Sequence, residues 1–388
     1  MNVPLLDLKA QYATIRDQVR AAVDEVFESQ RFILGPQVAS LEEEVARYCG
    51  VPCAIGVASG TDALLLSMRA LGTGAGDAVV TVPYTFFATA GAIVNLGARP
   101  LFVDIEPAGF NMDPERLAEF LERDCSYDTS AGKLVHRPTS TTIKAIVPVH
   151  LYGQCAAMKE ILELARRHEV PVVEDACQAM GSRYGDDGAG AMGDFGCFSF
   201  FPSKNLGGAG DGGMIISRNR ELGQHARLLR NHGMQPKYYH HMVGFNSRLD
   251  EIQAAVLRVK LRRLDGWIEG RQANAARYEA AFRAAGLIGA IQVPEVLPHR
   301  RHIFHQYVIR CRKRDELRAA LQNRGVATEI YYPLSLHQQE CFKNLGYLET
   351  DFPASAAAAA QVLALPIYAE LTAAQIEYVV NCIGEFYS

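Results

Sequence analysis

One lysine stands in unusual company. The stretch Phe198-Ser199-Phe200-Phe201-Pro202-Ser203-Lys204-Asn205-Leu206-Gly207-Gly208 carries Lys204 from an aromatic strand into a loop continued by Gly210, Gly212 and Gly213. A lone lysine is ordinarily a solvated surface group. Held in a desolvated, glycine-lined pocket, it loses part of its preference for charge and becomes a nucleophilic amine able to form a Schiff base. Twenty-nine residues earlier, the apolar run Val170-Pro171-Val172-Val173 ends in Glu174-Asp175. That puts Asp175 at the carboxyl edge of a sheet, where open α/β folds bind ligands. A carboxylate there either caps a helix or holds a pyridine nitrogen protonated. The second use is what pyridoxal phosphate needs to act as an electron sink, and Gln178, one turn on, would reach the ring hydroxyl oxygen.

Two further stretches fit the same cofactor. Val57-Ala58-Ser59-Gly60-Thr61-Asp62 reads as a strand, a small-residue turn and a helix start. The free N–H groups and positive dipole end of such a helix make an anion site, although Ser59 or Thr61 is equally a plain N-cap. Ser199, on the strand leading to Lys204, is a candidate hydroxyl donor to the same phosphate; alone it would be an ordinary buried serine. In Pro83-Tyr84-Thr85-Phe86-Phe87-Ala88-Thr89 an aromatic side chain either stacks on a cofactor ring or packs in the core. Two look-alikes fail on context. Gly208-Ala209-Gly210-Asp211-Gly212-Gly213 spells a dinucleotide fingerprint but precedes a strand, not a helix. His302 and His305 flank a strand-like run and should face opposite ways, so shared metal ligation is not expected.

The elements that must position these residues alternate. Apolar strands at 53–58, 78–82, 101–104, 143–150 and 170–174 are separated by helical patterns at 62–71, 85–96 and 158–168. Continuous apolar strands between helices imply a mainly parallel sheet covered on both faces, here a seven-stranded-type sheet in an α/β domain. Strands at 195–200 and 213–217 would form a hairpin-like pair in that sheet. One long amphipathic helix over 248–285, bending at Gly266 and Gly270, would link this domain (1–247) to a smaller α+β domain (248–388). The small domain reads as a strand at 304–310, a helix at 314–323, a strand at 327–331, and helices at 355–363 and 373–386. The polar segment 122–142 lacks periodicity and reads as a surface insertion.

The 388 residues carry 39 Lys+Arg against 43 Asp+Glu, a formal charge of −4 that lacks the basic surplus of a nucleic-acid binder. With 49% hydrophobic and 21% charged residues, wholesale disorder is excluded. No apolar run reaches the roughly 18 residues of a membrane span. Nine scattered cysteines, none in a C-x-x-C pair, read as reduced core thiols, so a cytoplasmic location without bound metal is expected.

Together the stretches 58–64, 83–89, 148–154, 174–181, 193–213 and 244–255 resemble, in order, the DegT/StrS-type sugar aminotransferases, pyridoxal phosphate enzymes of the aspartate aminotransferase fold. The resemblance implies that Lys204 is the Schiff-base lysine and the acid/base of the 1,3-proton shift. It implies that Asp175 is the partner of the pyridinium, that Gln178 contacts the phenolic oxygen and that Phe86 stacks on the ring. Gly60, Thr61, Asp62 and Ser199 would hold the phosphate, with Thr61 and Asp62 acting through backbone amides. Asn246 would reach the phosphate of the neighbouring subunit, which implies a homodimer. L-Glutamate would donate nitrogen, leaving pyridoxamine phosphate and 2-oxoglutarate, and a nucleotide-linked keto sugar would accept it. The run 246–265 is most similar to enzymes of dTDP-linked 3-keto-6-deoxyhexoses, with a 4-keto sugar as the alternative. His150, Tyr331 and His337 are expected to touch sugar or diphosphate. Two other readings stay open: a non-catalytic regulatory protein of this fold, and another pyridoxal phosphate enzyme using Arg230 or Arg301 to clamp a carboxylate.

Overall fold

The computed structural model describes residues 1–130 and 132–388. Its central sheet is built from β1 (Cys53–Val57), β2 (Asp77–Thr81), β3 (Arg99–Phe102), β4 (Cys125–Asp128), β5 (Lys133–His136), β6 (Thr141–Ile146) and β7 (Val173–Asp175). After a small hairpin of β8 (Arg183–Tyr184) and β9 (Asp187–Gly188), it is completed by β10 (Phe195–Ser199) and β11 (Gly213–Ser217). One group of strands runs β1-β11-β10-β7 and another β3-β2-β6-β5-β4. Parallel bridges Ile146–Val172 and Val149–Asp175 join them, so seven strands lie in the order β1-β11-β10-β7-β6-β2-β3. Six are mutually parallel. Only β11 runs against its neighbours, pairing with β10 as Ser199↔Gly213 and with β1 as Val57↔Gly213. The mainly parallel sheet and the hairpin-like pair are both found.

Helices cover the two faces, which is why the strands are apolar throughout. Helix Gly60–Ala70 buries Ala63, Leu64, Leu66 and Met68 against Ile55, Cys197 and Ile215. On the other side, Val38, Leu41 and Val45 of helix Pro36–Cys49 share a core with Phe198, Met214 and Leu257.

Segment 122–142 is not a plain insertion. The helix Pro114–Asp124 ends in it, and β4 and β5 then form a hairpin that pairs onto the start of β6 through Val135↔Thr142 and His136↔Thr141. Within β4 and β5 only Cys125, Leu134 and His136 are buried, so the alternation is too short to stand out. The linking helix is also two helices, Glu251–Leu261 and Leu264–Ala284, with the break at Arg262–Arg263. Gly266 and Gly270 lie inside the second. Gly270 serves close packing, since a Cβ there would stand 2.9 Å from that of Ala369.

The C-terminal part packs β12 (Ile291–Gln292), the short β13 (Arg300–Arg301), β14 (Tyr307–Cys311) and β15 (Val362–Leu365) with helices Arg314–Asn323, Pro353–Gln361 and Ala373–Tyr387. β12, β14 and β15 form one sheet, while β13 pairs with β8. The expected strand at 327–331 reduces to a single bridge, Glu329–Ala364, and the expected helix at 355–363 gives way to strand at Val362. Tyr278, Phe282, Tyr307, Leu363 and Ile383 form the core, joined by Val3 from the chain start. No helix among the described residues is long and apolar enough to cross a membrane.

Candidate active site

The carboxyl edge of the sheet opens into a cavity of about 570 Å³, and three chain segments deliver the chemistry to it. The first is β7, which ends at Asp175. The carboxylate is 5% exposed; its Oδ2 accepts from the Thr89 hydroxyl at 2.7 Å and its Oδ1 from the Cys177 N–H at 3.2 Å. Because Thr89 spends its proton on the carboxylate, it accepts from Thr85 Oγ1 at 3.1 Å. The Thr85–Thr89–Asp175 chain keeps an acceptor-only carboxylate at the cavity wall.

The second segment is β10 and the turn after it. Ser199 closes the strand, and the turn is pinned where Lys204 N–H donates to Phe201 C=O at 2.8 Å. Gly207 must be glycine here, since a Cβ would stand 2.2 Å from the Pro202 carbonyl oxygen. Lys204 lines the cavity with Asp175. Burial holds its pKa below the usual lysine range, against the opposing pull of Cys177 and Asp175. Desolvation therefore makes the free amine more available than on a surface lysine.

The third is the start of helix Gly60–Ala70. Ser59 is its N-cap, accepting from the Asp62 N–H at 3.1 Å. The Asp62 amide donates inside the cap and Asp62 does not line the cavity, so it is not brought together with the other expected phosphate contacts. Gly60 and Thr61 do line it, and as first-turn residues their N–H groups have no acceptor within the helix. A Cβ on Gly60 would meet Ser199 Cβ at 2.6 Å and Cys177 Sγ at 3.0 Å, so bare backbone closes this corner.

Phe86, Gln178 and Tyr331 reach the same cavity. Gln178 is oriented by Tyr152, whose N–H donates to Oε1 at 2.8 Å; its Nε2 donates to the Tyr332 hydroxyl at 2.9 Å and keeps a second N–H free. The Tyr331 carbonyl accepts from the hydroxyls of Tyr84 (2.6 Å) and Tyr152 (2.8 Å). Burial raises the pKa of Tyr84, Tyr152 and Tyr332, so all three are neutral phenols.

Two histidines expected to touch substrate are not among the residues that line this cavity. His150 is fully buried; its Nδ1 accepts from Ala156 N–H at 3.0 Å, which leaves the proton on Nε2 to bond Glu174 at 2.7 Å. It clamps strand ends together rather than facing the cavity. His337 is 3% exposed, edge-on to Phe352 with ring centroids 4.8 Å apart, and is likewise absent from the lining. Asn246 lies on the surface, bridged to Asn231, and does not line this chain's cavity.

His302 and His305 lie in the connection between β13 and β14 rather than at the ends of a strand, and their surroundings differ. The His302 ring stacks on Phe304 at 4.1 Å, and burial lowers its pKa to about 3. His305, by contrast, is a cavity residue that the sequence reading passed over. It is neutral, its pKa depressed by burial and by Lys204, with Nδ1 2.9 Å from Asn205 Oδ1. Thr85, Thr89, Tyr332 and Arg271 were also missed. Only the 83–89 stretch carried a signal that could have pointed to any of them, because both threonines lie within it.

An amine of weakened charge, a carboxylate and a backbone anion cradle therefore converge on one cavity, the donor set pyridoxal phosphate requires. The comparisons agree. A "pleiotropic regulatory protein" of Geobacillus stearothermophilus is 46% identical over 388 residues, spanning 100% of this chain and 99% of the relative. The UDP-N-acetyl-3-dehydro-α-D-glucosamine 3-aminotransferase of Acidithiobacillus ferrooxidans is 41% identical over 98% of this chain and 97% of its own. Among solved structures, Streptomyces venezuelae DesV in complex with a ketimine intermediate superposes with a TM-score of 0.91 at 38% identity, covering 99% of this chain and 98% of DesV. The model of the DegT/DnrJ/EryC1/StrS aminotransferase family matches residues 13–384. The chain belongs to that family of pyridoxal phosphate-dependent sugar aminotransferases.

Proposed function

We propose that the protein transfers the amino group of L-glutamate to carbon 3 of a nucleotide-linked keto-deoxysugar, with a dTDP-linked 3-keto-6-deoxyhexose as first candidate. The observation that carries this reading is that Lys204 and Asp175 line one cavity with the open start of helix Gly60–Ala70. Amination at carbon 3 is supported by the activity for which the Acidithiobacillus relative is named, and the dTDP-linked deoxyhexose by the run 246–265.

Bound in this cavity, pyridoxal phosphate supplies the sink for the electron pair released at the donor carbon. The remaining work falls to side chains. Lys204 Nζ holds the cofactor at rest, takes the proton from the donor carbon and returns it one bond-pair away. Asp175, backed by Thr89, stabilises positive charge on the ring nitrogen. The N–H groups of Gly60 and Thr61 and the Ser199 hydroxyl hold the phosphate. Gln178 offers its free N–H to the phenolic oxygen, and Phe86 covers the ring. Asn246, exposed in one subunit, completes the phosphate site of its neighbour in a homodimer. Nine free cysteines support a cytoplasmic location.

The regulatory reading draws on the name of the Geobacillus relative. An intact lysine and acid in one cavity favour catalysis. The test is titration of the cofactor-loaded protein with L-glutamate, followed by a panel of nucleotide-linked 3-keto and 4-keto sugars. Stoichiometric 2-oxoglutarate and amination of a 3-keto substrate are expected, and Lys204→Ala should abolish both. Release of 2-oxoglutarate by Lys204→Ala at the wild-type rate refutes the role given to Lys204. Turnover of 4-keto substrates alone refutes the carbon assignment.

A further inference from the structure

A second cation borders the cavity, and no carboxylate of the described residues is paired with it. Arg271, on helix Leu264–Ala284, is 4% exposed and lines the same cavity as Lys204. Its Nη1 donates to the carbonyls of Ile367 (2.9 Å), Phe304 (3.1 Å) and His305 (3.2 Å). Its Nε and Nη2 have no protein acceptor among the described residues, and neither is sealed away as a buried orphan. No carboxylate of the described residues comes within 4 Å of the guanidinium; Glu370 acts on it only from beyond that distance.

Buried guanidinium groups are normally paired, because an isolated charge out of water is costly. Burial here drags the pKa of Arg271 down to about 10, still far enough above neutrality to keep the charge. A fixed cation with two nitrogens unspent, facing a ligand cavity, is a site for an anion.

We propose that Arg271 receives a carboxylate of the amino donor. The inference rests on the transaminase reading above and adds the residue that selects the donor. The neighbourhood argues for a single compact anion. Leu5, Leu365 and Ile367 line this part of the cavity, and the Ile367 N–H donates to the Leu5 carbonyl at 3.3 Å. One cation among apolar side chains balances a carboxylate and would leave a diphosphate in charge excess. Gln306 lines the same cavity, 9% exposed, with Oε1 buried and unpartnered.

The test uses the cofactor-loaded enzyme, with loading read from the cofactor's absorption. Arg271→Gln should raise the L-glutamate concentration for half-saturation about 100-fold, the usual effect of losing a buried charge-assisted contact. Reaction of the aminated enzyme with the keto sugar should change less than about 3-fold. Arg271→Lys should recover part of the donor affinity. Because a buried arginine could be needed for folding, the wild-type protein supplies an independent arm. L-Glutamine and the α-amide of L-glutamate should differ, the one lacking the recognised carboxylate being the poorer. Calorimetric binding of unreactive glutarate should be present in wild type and lost in Arg271→Gln.

Glutarate binding unchanged by Arg271→Gln, or both amides equal to L-glutamate, overturns the proposal. Selective loss of the keto-sugar step would reassign Arg271 to the diphosphate. A wild-type protein that binds glutarate through Arg271 yet shows no cofactor absorption would leave the anion site standing and remove the transaminase reading instead.

Discussion

Glu174 should be the costliest single-atom change near the site. It is fully buried, and its two oxygens accept four hydrogen bonds. Oε2 takes His150 Nε2–H (2.7 Å) and Gly190 N–H (2.8 Å); Oε1 takes the N–H groups of Met192 and Gly193, both at 2.6 Å. Every partner is a donor. In Glu174→Gln the amide nitrogen must face two of them whichever way it turns. Two charge-assisted bonds at about 1.5–3 kcal/mol each are lost, and two buried donors are left without acceptors. Partial relaxation brings the expected loss to about 3–5 kcal/mol, in line with breaking buried ionic networks. That is a large part of a typical stability of roughly 5–15 kcal/mol. At about 2–4 °C per kcal/mol, the midpoint should fall on the order of 10 °C. Calorimetric melting of the variant beside Glu43→Gln, an exposed control expected within about 0.5 kcal/mol, measures it. If Glu174→Gln melts within about 2 °C of wild type, the hub reading of Glu174 and His150 is wrong.

Gly60→Ala should fold but bind cofactor at least about tenfold more weakly, because its Cβ would displace Ser199 from 2.6 Å and overpacking costs about 1–3 kcal/mol; equilibrium dialysis with an affinity equal to wild type would contradict the cradle. The buried Lys204 gives cofactor-free protein a pH signature. Its folded pKa lies below the ordinary 10.5, so between those values the unfolded chain binds the extra proton and stability rises with pH. Denaturant melts across that window should show the rise in wild type and a weaker one in Lys204→Met; identical slopes would place the amine in water.

Much of this was readable because chemistry and chain order coincide. Lys204 and Ser199 follow from one aromatic strand and its glycines, Asp175 and Gln178 from the end of another, and Gly60 and Thr61 from a strand–turn–helix. Each is local: within a few residues, the type of side chain and the element it ends predict where it points. The hairpin over 125–136 escaped because three buried side chains are too few to impose a period. The expected helix over 248–285 was broken at Arg262–Arg263, where no glycine or proline marks the place.

His150 and His337 show the opposite limit. Both are residues whose type suggests chemistry, yet both are sealed off. The difference between a ligand and a strut is whether Glu174, Phe352 or open space stands next to the ring, and those neighbours come from 24 residues away in the first case. Arg271 is the converse, an arginine among many on a helix until the folded chain sets it beside a cavity with no carboxylate of the described residues paired to it. Sequence by itself determined the sheet, the segments that meet at the cavity and the family, because periodicity and turn chemistry act over short spans. Which charges are satisfied and which remain available to a ligand was decided only by tertiary structure, since burial and pairing depend on segments that meet in space.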